Sequence, residues 1–355
     1  MEASFLEIHP DVRSTGELVK VAFKQVRGNS GTDVWTDSLA AALRKEGNEC
    51  TTTYYPTYYS LFPQLSRVLN PENGHADITH CNTWNGFAFK GDESLVLTEH
   101  HVVHDPIFEP FKSLGQRVFH KLVYRYEARS LEVADAVTCV SQYTKRMLEE
   151  TFGYSDVQVI YNGVDPEVFQ PLEIDRNTLC RRFGLTGNEK ILLFVGNPSR
   201  RKGADLLPKI MNQLDDSYIL LTTAGLRDTT FGGRRIRCVG KVLQEELALL
   251  YNLCDVLLFP SRLEGFGLTV AEAMACGKPA IATNGSSLPE LVVDGKGGYL
   301  CEMDNVDDFV RRIKALCDDA SLRHYMGKFN RKRACEMFTL SRMAQEYMRI
   351  YRRTS

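Results

Sequence analysis

Two carboxylates and three cations are spaced so that they could hold and polarise a phosphorylated ligand. Glu264 and Glu272 bracket the stretch Glu264-Gly-Phe-Gly-Leu-Thr-Val-Ala-Glu272, and Arg200, Arg201 and Lys202 run directly into Gly203. Cations bunched at the exit of a strand can clamp a diphosphate. Gly265 and Gly267 let main-chain amides approach a ligand, and a helix opening near Leu268 would add unpaired N–H groups and its positive end. A carboxylate beside such an anion seat needs donors, and sugar hydroxyls are donors. Taken alone, Glu272 reads as an acidic residue set against a helix dipole. A third group lies upstream, where Glu99, His100 and His101 are followed by His104 and Asp105. Lone histidines are usually structural. Three together with an aspartate also invite a metal reading, but one loop does not make the ligands converge.

The elements that would carry these residues repeat a simple order. Residues 255–260 form an apolar run ending in Pro260, a buried strand by pattern, and 271–275 have strong helix propensity that stops at Gly277 and Pro279. The same order appears at 190–195 (strand), 196–203 (loop) and 204–214 (helix). In the first half, 19–25 alternate like a strand, 27–33 form a glycine loop, and 34–44 an amphipathic helix closed by Gly47. Further short strands are expected at 76–80, 94–98, 135–141, 157–161, 217–223 and 236–239. Repeated strand–loop–helix units predict an α/β fold with parallel sheets, whose ligands sit at the carboxyl ends of the strands. The dinucleotide fingerprint G-x-G-x-x-G is absent from the first loop.

Glu264 and Glu272 reproduce the E-x7-E signature of retaining nucleotide-sugar glycosyltransferases of family 4, which have the GT-B fold. The stretch 194–203 resembles that family's donor loop, and Pro289-Glu-Leu-Val with 294–300 resembles the closing segment of the same domain. The resemblance spans residues 18 to 352. It implies two Rossmann-like doubly wound domains facing a cleft: an extension at 1–17, an acceptor-side domain at 18–170, and a nucleotide-sugar-binding domain at 171–337. A C-terminal helix near 338–353 would return to the first domain. The activity implied is transfer of a sugar from a nucleotide diphosphate sugar to a hydroxyl acceptor with retention of configuration. It implies no metal and no cofactor besides the donor, with UDP-sugar favoured as the commoner choice among relatives.

By the same resemblance His100, Arg201, Lys202 and Glu264 are the catalytic candidates. Arg201 stands in for a guanidinium that many relatives place where this chain has Asn197. Donor binding falls to Gly31, Thr32, Gly196, Asn197, Val242, Gly265, Phe266, Gly267, Leu268, Thr269 and Glu272. His101 and Ser141 are weaker acceptor-side candidates, and His101 is the alternative to His100 as the residue facing the donor. The rivals are a GT-B epimerase, a sugar phosphorylase, for which no pyridoxal-binding lysine stands out, and a silent sugar-nucleotide-binding module.

Composition narrows the classes further. The chain has 355 residues, enough for two cores, and its 43% hydrophobic and 25% charged content excludes disorder and fibrous classes. A net charge of −2 gives no global basic field, so nucleic acid is not an expected partner. The ten cysteines lie singly, without a C-x2-C pair, which fits a reduced, cytoplasmic setting. No apolar run approaches membrane-spanning length. Residues 111–134 read as one long helix with Arg117, Lys121, Arg125 and Arg129 on one face. A solvated face is the default for such a run; docking to anionic membrane lipid or a phosphorylated acceptor is the alternative. The aromatic cluster at 54–59 is either core or acceptor-side wall.

Overall fold

The computed structural model describes residues 18–28, 30–66, 76–223 and 235–355, so the extension expected at 1–17 lies outside the described residues. The first half contains β1 (Lys20–Val26), α1 (Gly31–Lys45), β2 (Glu49–Tyr55), β3 (Ile78–Asn82), β4 (Ser94–Glu99), α2 (Leu114–Val133), β5 (Ala136–Cys139), α3 (Gln142–Phe152) and β6 (Gln158–Val159). The second contains α4 (Arg176–Arg182), β7 (Lys190–Phe194), α5 (Leu207–Asn212), β8 (Tyr218–Thr222), β9 (Ile236–Cys238), α6 (Gln244–Leu253), β10 (Val256–Phe259), α7 (Leu268–Ala275), β11 (Ala280–Thr283), α8 (Leu288–Leu291) and β12 (Gly298–Cys301). Three helices close the chain: α9 (Val306–Asp318), α10 (Ala320–Met337) and α11 (Leu340–Thr354).

Each half is built on one parallel six-stranded sheet, in the orders β2-β1-β3-β4-β5-β6 and β12-β11-β10-β7-β8-β9. The central strands are apolar on both faces because both faces are covered: Ile191, Leu192, Leu193 and Phe194 of β7 are all buried. Leu192 and Phe194 pack with α5 and α9, whereas Ile191 and Leu193 face α6 and α7. The first sheet is covered likewise, by α2 and α3 on one face and by α1 with α11 on the other. Burial of each such large side chain is worth about 1.5–3 kcal/mol.

The basic helix is shorter than its pattern suggests. Pro106 and Pro110 confine residues 106–111 to a separate 3₁₀ segment, and α2 starts after Ser113, whose hydroxyl and Gln116 form a reciprocal capping box. Edge strand β2 is too polar to stand out by pattern. It is fixed to α1 by Tyr54, whose hydroxyl donates to the Asp37 carboxylate at 2.8 Å.

The chain crosses between the halves twice, and the crossings lie side by side. Val164 N donates to Phe338 O at 2.8 Å, and Leu340 N donates back to Val164 O at 3.0 Å. A Cβ on Gly163 would stand 2.5 Å from the Thr339 carbonyl, so the approach needs glycine. After this crossing α11 packs on the first sheet, where the Tyr351 hydroxyl lies 2.6 Å from His80 Nδ1 and that of Tyr347 3.0 Å from Thr98 Oγ1.

Candidate functional site

The charged loop of the second half is held in place by neighbouring backbone. After β7, residues 196–203 turn back and lie against the loop that follows β10. Arg262 N donates to Arg201 O at 2.9 Å, and the Arg201 guanidinium donates to Leu263 O at 2.6 Å. The Arg262 guanidinium, nearly buried, is gripped bidentately by Asp205 at 2.7 and 2.9 Å and by Asp304 at 2.6 Å. Gly203 has φ +70, and a Cβ there would meet the Pro260 carbonyl at 2.0 Å. Only glycine lets the two loops touch at this point.

This arrangement delivers Lys202 to Glu264. Nζ lies 2.6 Å from Glu264 Oε1, Ser261 Oγ donates to the same oxygen at 2.6 Å, and Arg201 Nη1 stands 3.9 Å away. Burial raises the Glu264 pKa, but the Lys202 and Arg201 charges and two hydrogen bonds outweigh it, and the carboxyl is held below its ordinary value. For Lys202 burial wins over the attraction of Glu264, and its pKa is lowered. Glu272, on α7, accepts from the Tyr251 hydroxyl at 2.7 Å; burial pushes its pKa up to about 7 against that bond and the Lys202 charge. Helix α7 opens at Gly267 with φ +105 and no side-chain cap. Among the described residues the Leu268 and Thr269 amides form no hydrogen bond, and the first amide to turn inward is Val270, onto Gly267 O at 2.9 Å. Two carboxylates, two cations and an open helix start therefore share one corner.

The first half meets this corner directly. A Cβ on Gly265 would fall 1.6 Å from the His100 carbonyl oxygen and 3.2 Å from His101 Cβ. Thr144 Oγ1 donates to Gly265 O at 3.2 Å. From the opposite direction the Glu290 carboxylate reaches across to α3, accepting from Gln142 N at 2.9 Å and Tyr143 N at 2.8 Å. A carboxylate of one half thus satisfies the open helix terminus of the other.

The two candidate histidines separate here. The His100 ring lies edge-on to Trp35, 4.6 Å between centroids, and its buried Nε2 has no partner. Burial, then the neighbouring His101, lowers its pKa to about 3. His101 is lowered to about 4 by burial and then by Arg201, with Glu264 opposing and Lys202 adding to the fall. The surroundings of the His101 ring are thus the charged corner, whereas His100 meets that corner through its carbonyl. Both imidazoles are neutral at pH 7.

Two cavities flank the contact. One, of about 580 Å³, lies at the carboxyl ends of β1, β3 and β4, where Gln25, Asn82, Thr83, Glu99, His100 and His101 face Phe119. The other, of about 600 Å³, lies between the halves and is lined by Trp35, Ser38, Asp165, Gln244, Leu268 and Glu272 among others.

The expectation for Ser141 is corrected, and the other expected residues are placed as follows. Ser141 is fully buried, with its hydroxyl accepting from Thr144 N and donating to Thr144 Oγ1 as the cap of α3, so it offers nothing to the cleft. The Phe266 ring packs against Tyr161 and Phe338 in the core, leaving only its backbone for a ligand. Gly31 and Thr32, expected at the donor, open α1, and Thr32 lines the first-half cavity. Val242 is half-buried against the second core, and Gly196, with φ +134, donates its amide to Thr223 Oγ1 at 3.2 Å. Asn197 lies in the same loop, between Gly196 and the cations. The aromatic segment divides: Tyr55 and Tyr59 are core with Phe89, while Thr57 and Tyr58 line the first-half cavity. Sequence reasoning missed Ser261, Tyr251, Thr144, Gln25 and the reach of Glu290. Ser261 alone carried a signal, directly after the strand-exit proline. No group of three or more His, Cys, Asp or Glu side chains among the described residues could hold a metal ion.

The family described as Glycosyl transferases group 1 matches residues 175–333, and Glycosyltransferase Family 4 matches residues 38–168. The N-acetyl-alpha-D-glucosaminyl L-malate synthase of Bacillus anthracis is 30% identical over 236 residues, covering 62% of this chain and 60% of that protein. The match therefore spans less than two thirds of the relative's length. Among solved structures, sucrose-phosphate synthase from Thermosynechococcus elongatus superposes with a TM-score of 0.83 at 22% identity, over 94% of this chain and 98% of that one. Anabaena HepE in complex with UDP-glucose gives 0.76 at 18% identity, over 94% and 99%. The two facing parallel sheets match the GT-B architecture of these neighbours.

Proposed function

Because the chain belongs to the family 4 glycosyltransferases and has the GT-B fold, we propose that it transfers a sugar, with retention of configuration, from a UDP-sugar to a hydroxyl acceptor. The observation that carries this reading is the corner where Lys202 and Arg201 flank Glu264 beside the open start of α7. As the glycosidic bond breaks, negative charge grows on the departing diphosphate. Lys202, Arg201 and the amides of Gly267, Leu268 and Thr269 meet that charge, each such donor contributing about 2.7–4 kcal/mol to the barrier reduction. Glu264 keeps acceptor capacity beyond its bonds to Lys202 and Ser261, and it takes hydrogen bonds from sugar hydroxyls. Glu272, in the cavity between the halves, takes those of the ribose. The acceptor hydroxyl attacks from the face the diphosphate leaves, and its proton passes to the departing phosphate oxygen. His101, neutral and close to the charged corner, orients the transferring sugar. UDP is chosen because a GT-B neighbour, HepE, was solved with UDP-glucose.

Incubation with UDP-glucose, UDP-galactose, UDP-N-acetylglucosamine and GDP-mannose tests the reading. Release of UDP that rises with an added hydroxyl acceptor supports transfer. Epimerised nucleotide sugar without UDP release favours the epimerase, and tight binding without turnover the silent module.

A second, separable proposal concerns α2. Leu114 and Val118 are 83% and 71% exposed and share a face with the exposed Arg117, Lys121 and Arg125. Apolar side chains ringed by cations fit peripheral contact with an anionic membrane. No described helix is long and apolar enough to cross a membrane.

A further inference from the structure

The cavity of the first half poses a question that the transfer chemistry leaves open, namely what kind of acceptor it takes. Its most telling feature is a set of buried polar atoms without partners. Gln25, 2% exposed at the end of β1, has neither its amide nitrogen nor its amide oxygen hydrogen-bonded. Asn82 Oδ1, at the end of β3, and His100 Nε2, just after β4, are likewise buried and unpaired. All three residues line the same cavity of about 580 Å³. A buried donor or acceptor left unmet is costly, so three neighbouring side chains in that state point to a ligand that meets them.

The charge inventory of the cavity is equally specific. Lys24 is bound to Glu93 at 3.0 Å, and the Arg27 guanidinium is stacked 4.5 Å from the centre of the Tyr54 ring. On the floor the Glu99 carboxyl accepts from Thr83 Oγ1 and from His101 N at 2.9 Å, and it lies against the buried carboxyl of Glu127. His104 Nε2 lies 3.2 Å from Glu127 Oε2, but burial lowers its pKa to about 4, and two carboxyls in contact beside a neutral imidazole cannot both ionise cheaply. Burial and the charge of Glu127 raise the Glu99 pKa well above its ordinary value, and burial raises that of Glu127 to about 8. The opposite wall is apolar, formed by Leu61, Phe89 and Phe119.

We propose that this cavity binds an uncharged, polyhydroxylated ring as acceptor, with hydroxyls on the Gln25 amide, Asn82 and the His100 imidazole and an apolar flank on Phe119. An amide supplies both a donor and an acceptor, which suits a hydroxyl that does both. A phosphate or carboxylate in the same place would lose its water and face a buried carboxyl pair, and of the two cations among the described lining residues Lys24 is tied to Glu93 while Arg27 is stacked on Tyr54. The volume accommodates a mono- or disaccharide-sized head. This inference rests on the transferase reading for its functional meaning, but it predicts binding that needs neither donor nor turnover.

Saturation-transfer difference NMR on the whole chain tests it with a fixed panel: methyl α-D-glucopyranoside, methyl α-D-mannopyranoside, N-acetylglucosamine, maltose and myo-inositol, against glucose 6-phosphate and mannose 6-phosphate. Octyl β-D-glucoside below its micelle concentration separates a lipid-linked from a free source of the same head. At least one uncharged member should give a signal that falls at least fivefold in both Gln25→Leu and Asn82→Leu, with the sugar phosphates weaker. Thermal denaturation and calorimetric UDP binding in both variants show that the fold and the donor site are intact. Loss of UDP binding in the unaltered protein would count against the donor reading and leave this one standing. A phosphorylated member binding as well as its neutral counterpart, no uncharged member binding, or a signal indifferent to both substitutions would each overturn the proposal.

Discussion

The two sides of the cleft solve opposite problems with the same scaffold. Both sites lie at the carboxyl ends of parallel strands, yet the second-half site concentrates charge in one corner while the first-half cavity keeps its charged groups paired, stacked or pressed towards protonation. Lys202, Arg201, Glu264 and Glu272 share one corner, whereas Gln25, Asn82 and His100 offer uncharged groups and the Glu99–Glu127 pair is pressed towards its protonated state. The difference follows the chemistry each side is assigned. A departing diphosphate gains negative charge and needs fixed positive partners, while an attacking hydroxyl needs only orientation.

Lys202→Ala breaks the charged side most severely. We expect turnover to fall about 10²–10³-fold, from the loss of one preorganised donor at the growing charge. Phosphate-coupled detection of UDP release measures it, and turnover within twofold of the unaltered enzyme would remove Lys202 from the site. Next in size is Gly265→Ala, which acts on the contact between the sides. Its Cβ would collide with the His100 carbonyl, so the halves must part. Turnover should fall at least tenfold, and small-angle scattering should show a larger radius of gyration. Unchanged scattering and turnover would mean that the contact is dispensable.

The third prediction uses pH. Glu272, with its pKa pushed up to about 7, accepts ribose hydroxyls more strongly once ionised, so UDP affinity should rise, by up to about tenfold, between pH 6 and 8. Stability of the nucleotide-free protein should move the other way. A carboxyl raised above its unfolded value keeps a proton that the unfolded chain has already lost. Its contribution is complete below 4.5 and fades as pH rises through about 7. In Glu272→Gln both slopes should flatten, which calorimetry and thermal denaturation across that range can check. The smallest effect concerns the outer face: flotation with phosphatidylglycerol vesicles should be salt-sensitive and about tenfold weaker for the double change Lys121→Glu and Arg125→Glu. Equal flotation by both proteins would leave α2 as a solvated surface.

The charged side was legible in the sequence and the uncharged side was not, for a physical reason. Glycines that must adopt positive φ, cations after a buried strand and carboxylates at a fixed spacing are local features, and Gly203, Lys202, Glu264 and Glu272 converge as their motifs imply. The partners of those residues come from afar. Tyr251 reaches Glu272 from another helix, and Glu290 reaches α3 across 147 positions. The first-half cavity depends on where strands end side by side, which parallel pairing sets and local pattern does not. Gln25 reads as one more residue of an alternating strand until its amide is seen without a partner. Ser141 erred in the other direction, because a serine at a strand end serves a helix cap as well as a ligand.

The paired crossings at Val164 and Thr339 bear on how the protein works as a machine. One connecting strand would be a swivel; two, hydrogen-bonded edge to edge, resist twisting and yield mainly by bending. Any relative motion of the halves is then confined to a single door-like arc. Along that arc the His100 carbonyl and Gly265 can meet in one orientation only.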